Sequence, residues 1–229
     1  MADVIPSVDA KMPRTRRGRE TRAKLILAAR AIFEADGFPD ARITDIAKEA
    51  GVAYGSFYTY FPTKEAIFRE VARAMQQEMI SDRHEASDRA SDDTSDGADP
   101  PSRSRRLYDR VERANRLYLE SYARNARLMA VLEQVALFNE ELFAIRREMR
   151  RAFVDRSTAA IDRWQRAGLV DPELDPRYAA SALGSMVDRF AYVWFVLDGD
   201  FEIDAAVANL TRLWIQALGM SVDTELPST

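Results

Sequence analysis

Between Tyr54 and Phe61 the chain crowds hydroxyls and aromatic rings together: Tyr54, Ser56, Tyr58, Thr59 and Tyr60, with Phe57 and Phe61 four residues apart. An α-helix turns 100° per residue, so the aromatics at 57, 58, 60 and 61 cannot all face one way. Phe57 and Phe61 are expected to lock the segment to a core. Tyr58 and Tyr60 are then left outward, where a phenol can hydrogen-bond a phosphate. Catalytic chemistry is poorly supplied by comparison. There is no cysteine, the one histidine is His84, and no glycine-rich phosphate loop follows a strand. Glu133, Glu140 and Glu141 are not followed by the Glu-x-x-His pattern of a di-iron bundle. The chain is read as a non-enzyme, with no metal site and no cofactor.

The charge distribution agrees with a phosphate-facing N-terminus. The net charge is −4, but residues 1–64 carry 11 basic against 8 acidic residues, and the rest carry 22 against 29. Lys11 to Lys24 alone holds seven basic residues and one acid, Glu20. Such a run is either a solvated tail or an arm that meets nucleic acid. As an arm, Arg14, Arg16, Arg17, Arg19 and Arg22 could enter a minor groove or add non-specific phosphate affinity, the second being favoured. No apolar run approaches the roughly 20 residues that span a bilayer, and the N-terminus lacks the apolar core of a signal peptide. A cytoplasmic protein without membrane contact is expected.

The elements that must position these residues are all helical. A first helix is predicted from Glu20 to Asp36, with Ala23, Leu25, Ile26, Ala29, Ile32 and Phe33 at helical spacing, ended by Gly37 and Pro39. A short helix from Arg42 to Ala50 follows, with Asp40 as its expected cap. Gly51 supplies a turn and Val52 a buried anchor. A second short helix covers Tyr54 to Tyr60. Thr63 caps the next one, from Lys64 to Met79 or beyond. Gly55 and Ser56 are small, so that end of the recognition helix can approach DNA closely. Two short helices about a glycine turn, with a third before them, form a helix-turn-helix whose second helix fits the major groove.

Here the chain resembles the tetracycline-repressor (TetR) family of transcriptional regulators. The likeness runs through Ile43-Thr44-Asp45-Ile46-Ala47, Ala50-Gly51-Val52, Gly55-Ser56-Phe57-Tyr58-Thr59-Tyr60-Phe61, Lys64-Glu65 and Phe68, and covers about Arg19 to Val71. Two positions depart from the commonest pattern: Arg42, where a Thr or Ser cap is frequent, and Tyr54, where Lys, Arg or Pro is frequent. The DNA-facing set is expected to be Arg42, Thr44, Ala53, Tyr54, Gly55, Ser56, Tyr58, Thr59, Tyr60 and Lys64. The resemblance implies an all-α fold: a three-helix DNA-binding domain followed by a helical ligand-binding and dimerisation domain. It implies a repressor released from a palindromic operator by a small, hydrophobic ligand.

The expected organisation is a disordered basic arm over 1–18 and a DNA-binding domain over 19–64, with its linking helix to about 80. A flexible connector over 81–104 and a C-terminal domain over 105–220 follow. The connector is Ser-, Asp- and Arg-rich with a Pro100-Pro101 pair, and cannot bury an apolar face. Beyond it, Leu107, Val111, Ala114, Tyr118 and Tyr122 form one stripe. Leu128–Leu137 reads as a short helix, and Glu140–Ala167 as a long one with Phe143, Met149, Phe153, Ile161 and Trp164 inward. Residues 177–197 are apolar on nearly every side and must be buried on nearly every side. With 203–218 they are expected to form an intersubunit four-helix bundle; a purely intrachain core is the alternative. A ligand pocket would draw on Tyr118, Tyr122, Met129, Leu132, Phe138, Met149, Phe153, Met186, Phe190 and Trp194. Tyrosine hydroxyls, with Gln134 or Asn139, would be its polar handles. Stripes of Met and aromatics are also ordinary core.

Overall fold

The computed structural model describes residues 13–88 and 100–220. Among them are eight helices and no strand: α1 (Arg16–Asp40), α2 (Ile43–Glu49), α3 (Tyr54–Tyr60), α4 (Lys64–Asp88), α5 (Pro100–Ala136), α6 (Glu140–Arg166), α7 (Pro176–Phe195) and α8 (Ile203–Ala217). The chain divides into two compact units. One holds residues up to Gln77 together with Arg127–Arg146; the other holds Glu78–Ala126 and everything from Arg147 on.

In the first unit, α1 starts where Thr15 accepts a hydrogen bond from the Gly18 amide. Its buried residues, Leu25, Ala28, Ala29 and Phe33, fall on one face. The chain leaves helical geometry at Gly37, and Pro39 lies just beyond. Phe33, Phe38 and Phe68 then pack as a triad, with centroids 4.8–5.6 Å apart, in the edge-on and offset geometries that ring quadrupoles favour. The same unit takes in the end of α5 and the start of α6. There Leu128, Met129, Leu132, Leu142 and Ile145 are buried, and Arg69 on α4 holds Glu141 on α6 at 2.6 Å.

In the second unit, α7 opens on Asp175, whose carboxylate accepts from the Arg177 and Tyr178 amides, with Pro176 in its first turn. Helix α8 buries Val207, Leu210, Trp214 and Ile215. Asn115 on α5 donates to Thr211 on α8 at 3.1 Å, pairing two buried polar side chains. Helix α6 meets α7 closely at Gly184, where a Cβ would lie 2.2 Å from the Phe153 ring. Tyr122, Phe195 and Trp194 form a stacked series, and Phe201 lies against Phe190 at 4.8 Å.

Several boundaries differ from the sequence reading. The basic arm is shorter, because α1 begins at Arg16; residues 1–12 lie outside the described ones. The connector is shorter too. Helix α4 continues to Asp88 and α5 begins at Pro100, leaving 89–99 outside the described residues. Proline is tolerated in a first turn because its missing N–H has no helical partner there. The separate helix over 128–137 is the end of α5, since no Gly or Pro between Tyr122 and Leu128 interrupts the backbone ladder. Asp40 does not cap α2. It ends α1, and Arg42 takes the cap position without a side-chain hydrogen bond. Phe143 is not inward but 50% exposed.

Candidate nucleic-acid interface

The turn between α2 and α3 is built on Gly51, at φ 66°, a conformation that costs any side-chain-bearing residue free energy. Its amide donates to the Lys48 carbonyl, and the Val52 amide to Ala47, each at 3.0 Å, closing the end of α2. Helix α3 then presents two different faces. Phe57 and Phe61 are fully buried, 5.9 Å apart, in the unit that also buries Ile46 and Ala47. Tyr54 and Tyr58 are 51% and 46% exposed. Ala53, Gly55 and Thr59 are also exposed, while Ser56 and Tyr60 are half-buried. Arg42 and Thr44, at the start of α2, are exposed.

The two exposed tyrosines form a braced pair. Their hydroxyls hydrogen-bond each other at 2.9 Å and their rings meet edge to face at 5.5 Å. Tyr58 also stands edge-on to Phe57 at 5.4 Å. The hydrogen bond with Tyr54, with desolvation adding, holds the Tyr58 phenol above its ordinary value of 10.0. A phenol is neutral near pH 7 even without this shift.

Lys64 has another occupation than the phosphate contact expected of it. Its ammonium donates to the carbonyls of Phe38 (2.7 Å), Ala41 (3.0 Å) and Pro39 (3.1 Å), and lies 4.7 Å from the centre of the Phe38 ring. An ammonium has three donors, and all three are used where α1 ends. The residue fastens α4 to the α1–α2 connection. Lys64→Met is expected to lower the stability of the folded chain by about 2 kcal/mol, since hydrogen bonds from charged groups contribute roughly 1.5–3 kcal/mol each and part is regained by hydration. Urea unfolding measures that loss. The slope of log affinity against log salt on DNA should stay the same, whereas losing a true phosphate contact reduces it by about 0.9.

Arg22 is likewise drawn inward from the predicted arm. It pairs with Glu70 on α4 and its guanidinium lies 5.2 Å from the Phe61 ring centre. Burial raises the Glu70 carboxyl, but hydrogen bonds and charge from Arg22 and Arg73 outweigh it, so the pKa is lowered. A carboxyl lowered in the folded state stabilises above the unfolded value, near 4.5, and that contribution is lost as pH falls through the folded value. Arg14, Arg16, Arg17 and Arg19 are exposed. Arg16 pairs with Glu20 at 2.8 Å and Arg19 donates to the Arg14 carbonyl.

The residues expected to meet a ligand divide between the units. Tyr118, Tyr122, Met149, Phe153, Met186, Phe190 and Trp194 belong to the second unit, Tyr122 buried and the others half-buried. Met129 and Leu132 are buried in the first unit. Phe138, at the α5–α6 turn of that unit, is 91% exposed and lines no interior. Asn139 is spent capping α6, accepting from the Leu142 amide at 3.1 Å, and Gln134 is exposed. Both lie in the first unit, away from the role of polar handle. One further polar residue stands beside these side chains in the second unit. Asp188 on α7 accepts a 2.6 Å hydrogen bond from the Tyr118 hydroxyl. The available signal was an acid, Asp188, at the centre of a helix whose buried face is apolar.

Among the described residues no cluster of His, Cys, Asp or Glu could hold a metal ion. No helix there is long and apolar enough to cross a membrane. Residues 25–71 match the family model for bacterial regulatory proteins of the tetR family. Residues 104–218 match a tetracyclin repressor-like C-terminal domain. The chain is 30% identical over 209 residues to the HTH-type transcriptional regulator TtgR of Pseudomonas putida, covering 89% of this chain and 93% of that one. Its fold is similar to NalD of Pseudomonas aeruginosa, the secondary repressor of a multidrug efflux pump (TM-score 0.61, 24% identity, 87% and 97% covered). It is similar also to FadR of Bacillus subtilis, solved with stearoyl-CoA (TM-score 0.61, 20% identity, 85% and 98% covered).

Proposed function

The chain belongs to the TetR family of bacterial regulatory proteins, and from that premise we propose that it is a homodimeric repressor released from a palindromic operator by a small, apolar effector. The observation that carries the DNA-binding part is the two-faced α3. Phe57 and Phe61 fix it from behind, and Tyr54, Tyr58 and Thr59 stand clear in front. Arg42, Thr44, Ala53, Gly55, Ser56 and Tyr60 complete the proposed DNA-facing set, without Lys64.

Dimerisation is supported by what α7 and α8 leave uncovered. On α7, Tyr178 is 79% exposed and Val193 is exposed, as are Leu213 on α8 and Leu197 in the connection between them, which is costly for a single copy and natural for a symmetric interface. Two recognition helices about one DNA turn apart need such a dimer. The effector is proposed to contact the second unit's residues named above, with Tyr118 and Asp188 as polar groups amid aromatic ones. In FadR the same fold takes an acyl-CoA. The effector would act by binding better to a dimer whose recognition helices are wrongly spaced. Helices α5 and α6 each contribute to both units, which supports transmission along them and adds to the linking role expected of α4.

The test is a mobility shift of the full chain on the DNA upstream of its own gene. Tyr58→Ala is expected to weaken the shift at least tenfold while thermal unfolding stays within a degree or two. An unaltered shift would remove α3 from the interface.

A further inference from the structure

Helix α3 is made of Tyr, Gly, Ser, Phe, Tyr, Thr and Tyr. It contains no Arg, Lys, Asn, Gln, Asp or Glu. That absence is informative, because the contacts that distinguish bases in the major groove come from a short list. Arg or Lys reads guanine O6 and N7, Asn or Gln reads adenine N6 and N7, Glu or Asp accepts from cytosine N4, and an apolar surface meets the thymine methyl. The first three are unavailable to α3. Its hydroxyls do not replace them, since an alcohol donates or accepts as required and suits any base. The Tyr54–Tyr58 hydrogen bond narrows this further. Whichever phenol donates to the other has spent its only O–H, so the pair retains one outward donor.

What the pair does offer is ring surface, held still. Tyr54 and Tyr58 are fixed against each other through both rings and hydroxyls, and Tyr58 is braced by the fully buried Phe57. Half of each side chain remains open to solvent. A rigid, exposed aromatic face loses little side-chain freedom on contact and recovers the free energy of burying a methyl. The cations nearby in sequence lie on other elements. Arg42 stands at the cap position of α2 and Lys48 near its end, both exposed, and the first helix of such a pair crosses the sugar-phosphate backbone.

We propose, building on the DNA-binding reading above, that α3 selects its half-site through thymine 5-methyl groups packed on the Tyr54–Tyr58 pair, not through hydrogen bonds to guanine or adenine. The operator core is then defined by the placement of thymines. The phosphate contacts of the remaining hydroxyls set register without choosing sequence.

The experiment uses the unmodified full chain. Sites are first selected from a random double-stranded DNA library, and each thymidine of the enriched site is then replaced by deoxyuridine, which lacks only the methyl. At one or two positions per half-site the replacement is expected to weaken binding about fourfold per methyl, and about sixteenfold when one such position is changed in both half-sites. The Tyr54→Ser, Tyr58→Ser double variant, altered only at exposed positions, should bind thymidine and deoxyuridine sites equally. An enriched site indifferent to every deoxyuridine overturns methyl readout while leaving DNA binding intact. A site defined by guanines alone does the same. A library that yields no enriched sequence overturns the DNA-binding reading, and this inference with it.

Discussion

Phe57→Ala should cost about 3–5 kcal/mol of folding free energy, the range for emptying a buried phenylalanine site, and should abolish operator binding. Phe57 is fully buried and touches both Phe61 and Tyr58. Helix α3 has only seven residues. A helix that short does not persist by its own backbone hydrogen bonds, so its anchor decides whether it exists. Domains are stable by only about 5–15 kcal/mol in total. The truncation therefore removes a large share of the first unit's margin. Urea unfolding followed by circular dichroism measures the loss, and a mobility shift reads the consequence. Phe57→Leu should lose much less of both. Wild-type stability in Phe57→Ala would mean that α3 is held by something other than its phenylalanines.

The second large effect is expected in the other unit, at Gly184. A β-carbon there would sit 2.2 Å from Phe153 Cε1 and 2.9 Å from Cδ1, far inside van der Waals contact. Either the ring turns away or α6 and α7 separate, and overpacking of this kind costs about 1–3 kcal/mol. Gly184→Ala should lower the melting temperature by several degrees. The double variant Gly184→Ala, Phe153→Leu should recover part of it, because the smaller side chain vacates the space. Additive losses in the two single variants would show that the ring and the glycine are not coupled. Since Phe153 is also among the proposed effector-contacting residues, the same pair should change the response to any effector that uses that face.

The helix-turn-helix was legible in the sequence because its signals are local. Gly51 needs a particular backbone conformation, Phe57 and Phe61 repeat at helical spacing, and Thr63 caps α4 by accepting from the Ala66 amide at 3.1 Å. The helical repeat placed Tyr58 outward correctly, but Tyr60, expected beside it, is half-buried, and Tyr54 is the other exposed ring. The intrachain partners of Lys64 and Arg22 were not legible, for one shared reason. Their partners, the carbonyls near the end of α1 and the Glu70 carboxylate, lie 23 to 48 residues away in the chain. A cation near a DNA-binding motif looks like a phosphate contact until such a partner is found. The ligand residues were harder still. Met129 and Tyr122 look alike as apolar pocket candidates, yet the single helix α5 carries them into different units. Hydrophobic periodicity shows that a side chain is buried, but not in which core.

The shared ownership of α5 and α6 also limits how this regulator can be taken apart. Residues up to Gln77 contain the whole recognition motif and look like a portable reading head. Their compact unit nevertheless includes Arg127–Arg146, with Leu128, Leu132 and Leu142 buried there and Glu141 holding Arg69. A fusion cut near residue 77 would carry the motif away from its own seat, exposing apolar surface on both halves. Hybrids that exchange effector specificity between relatives must move the hairpin with the head, or rebuild the face it leaves behind.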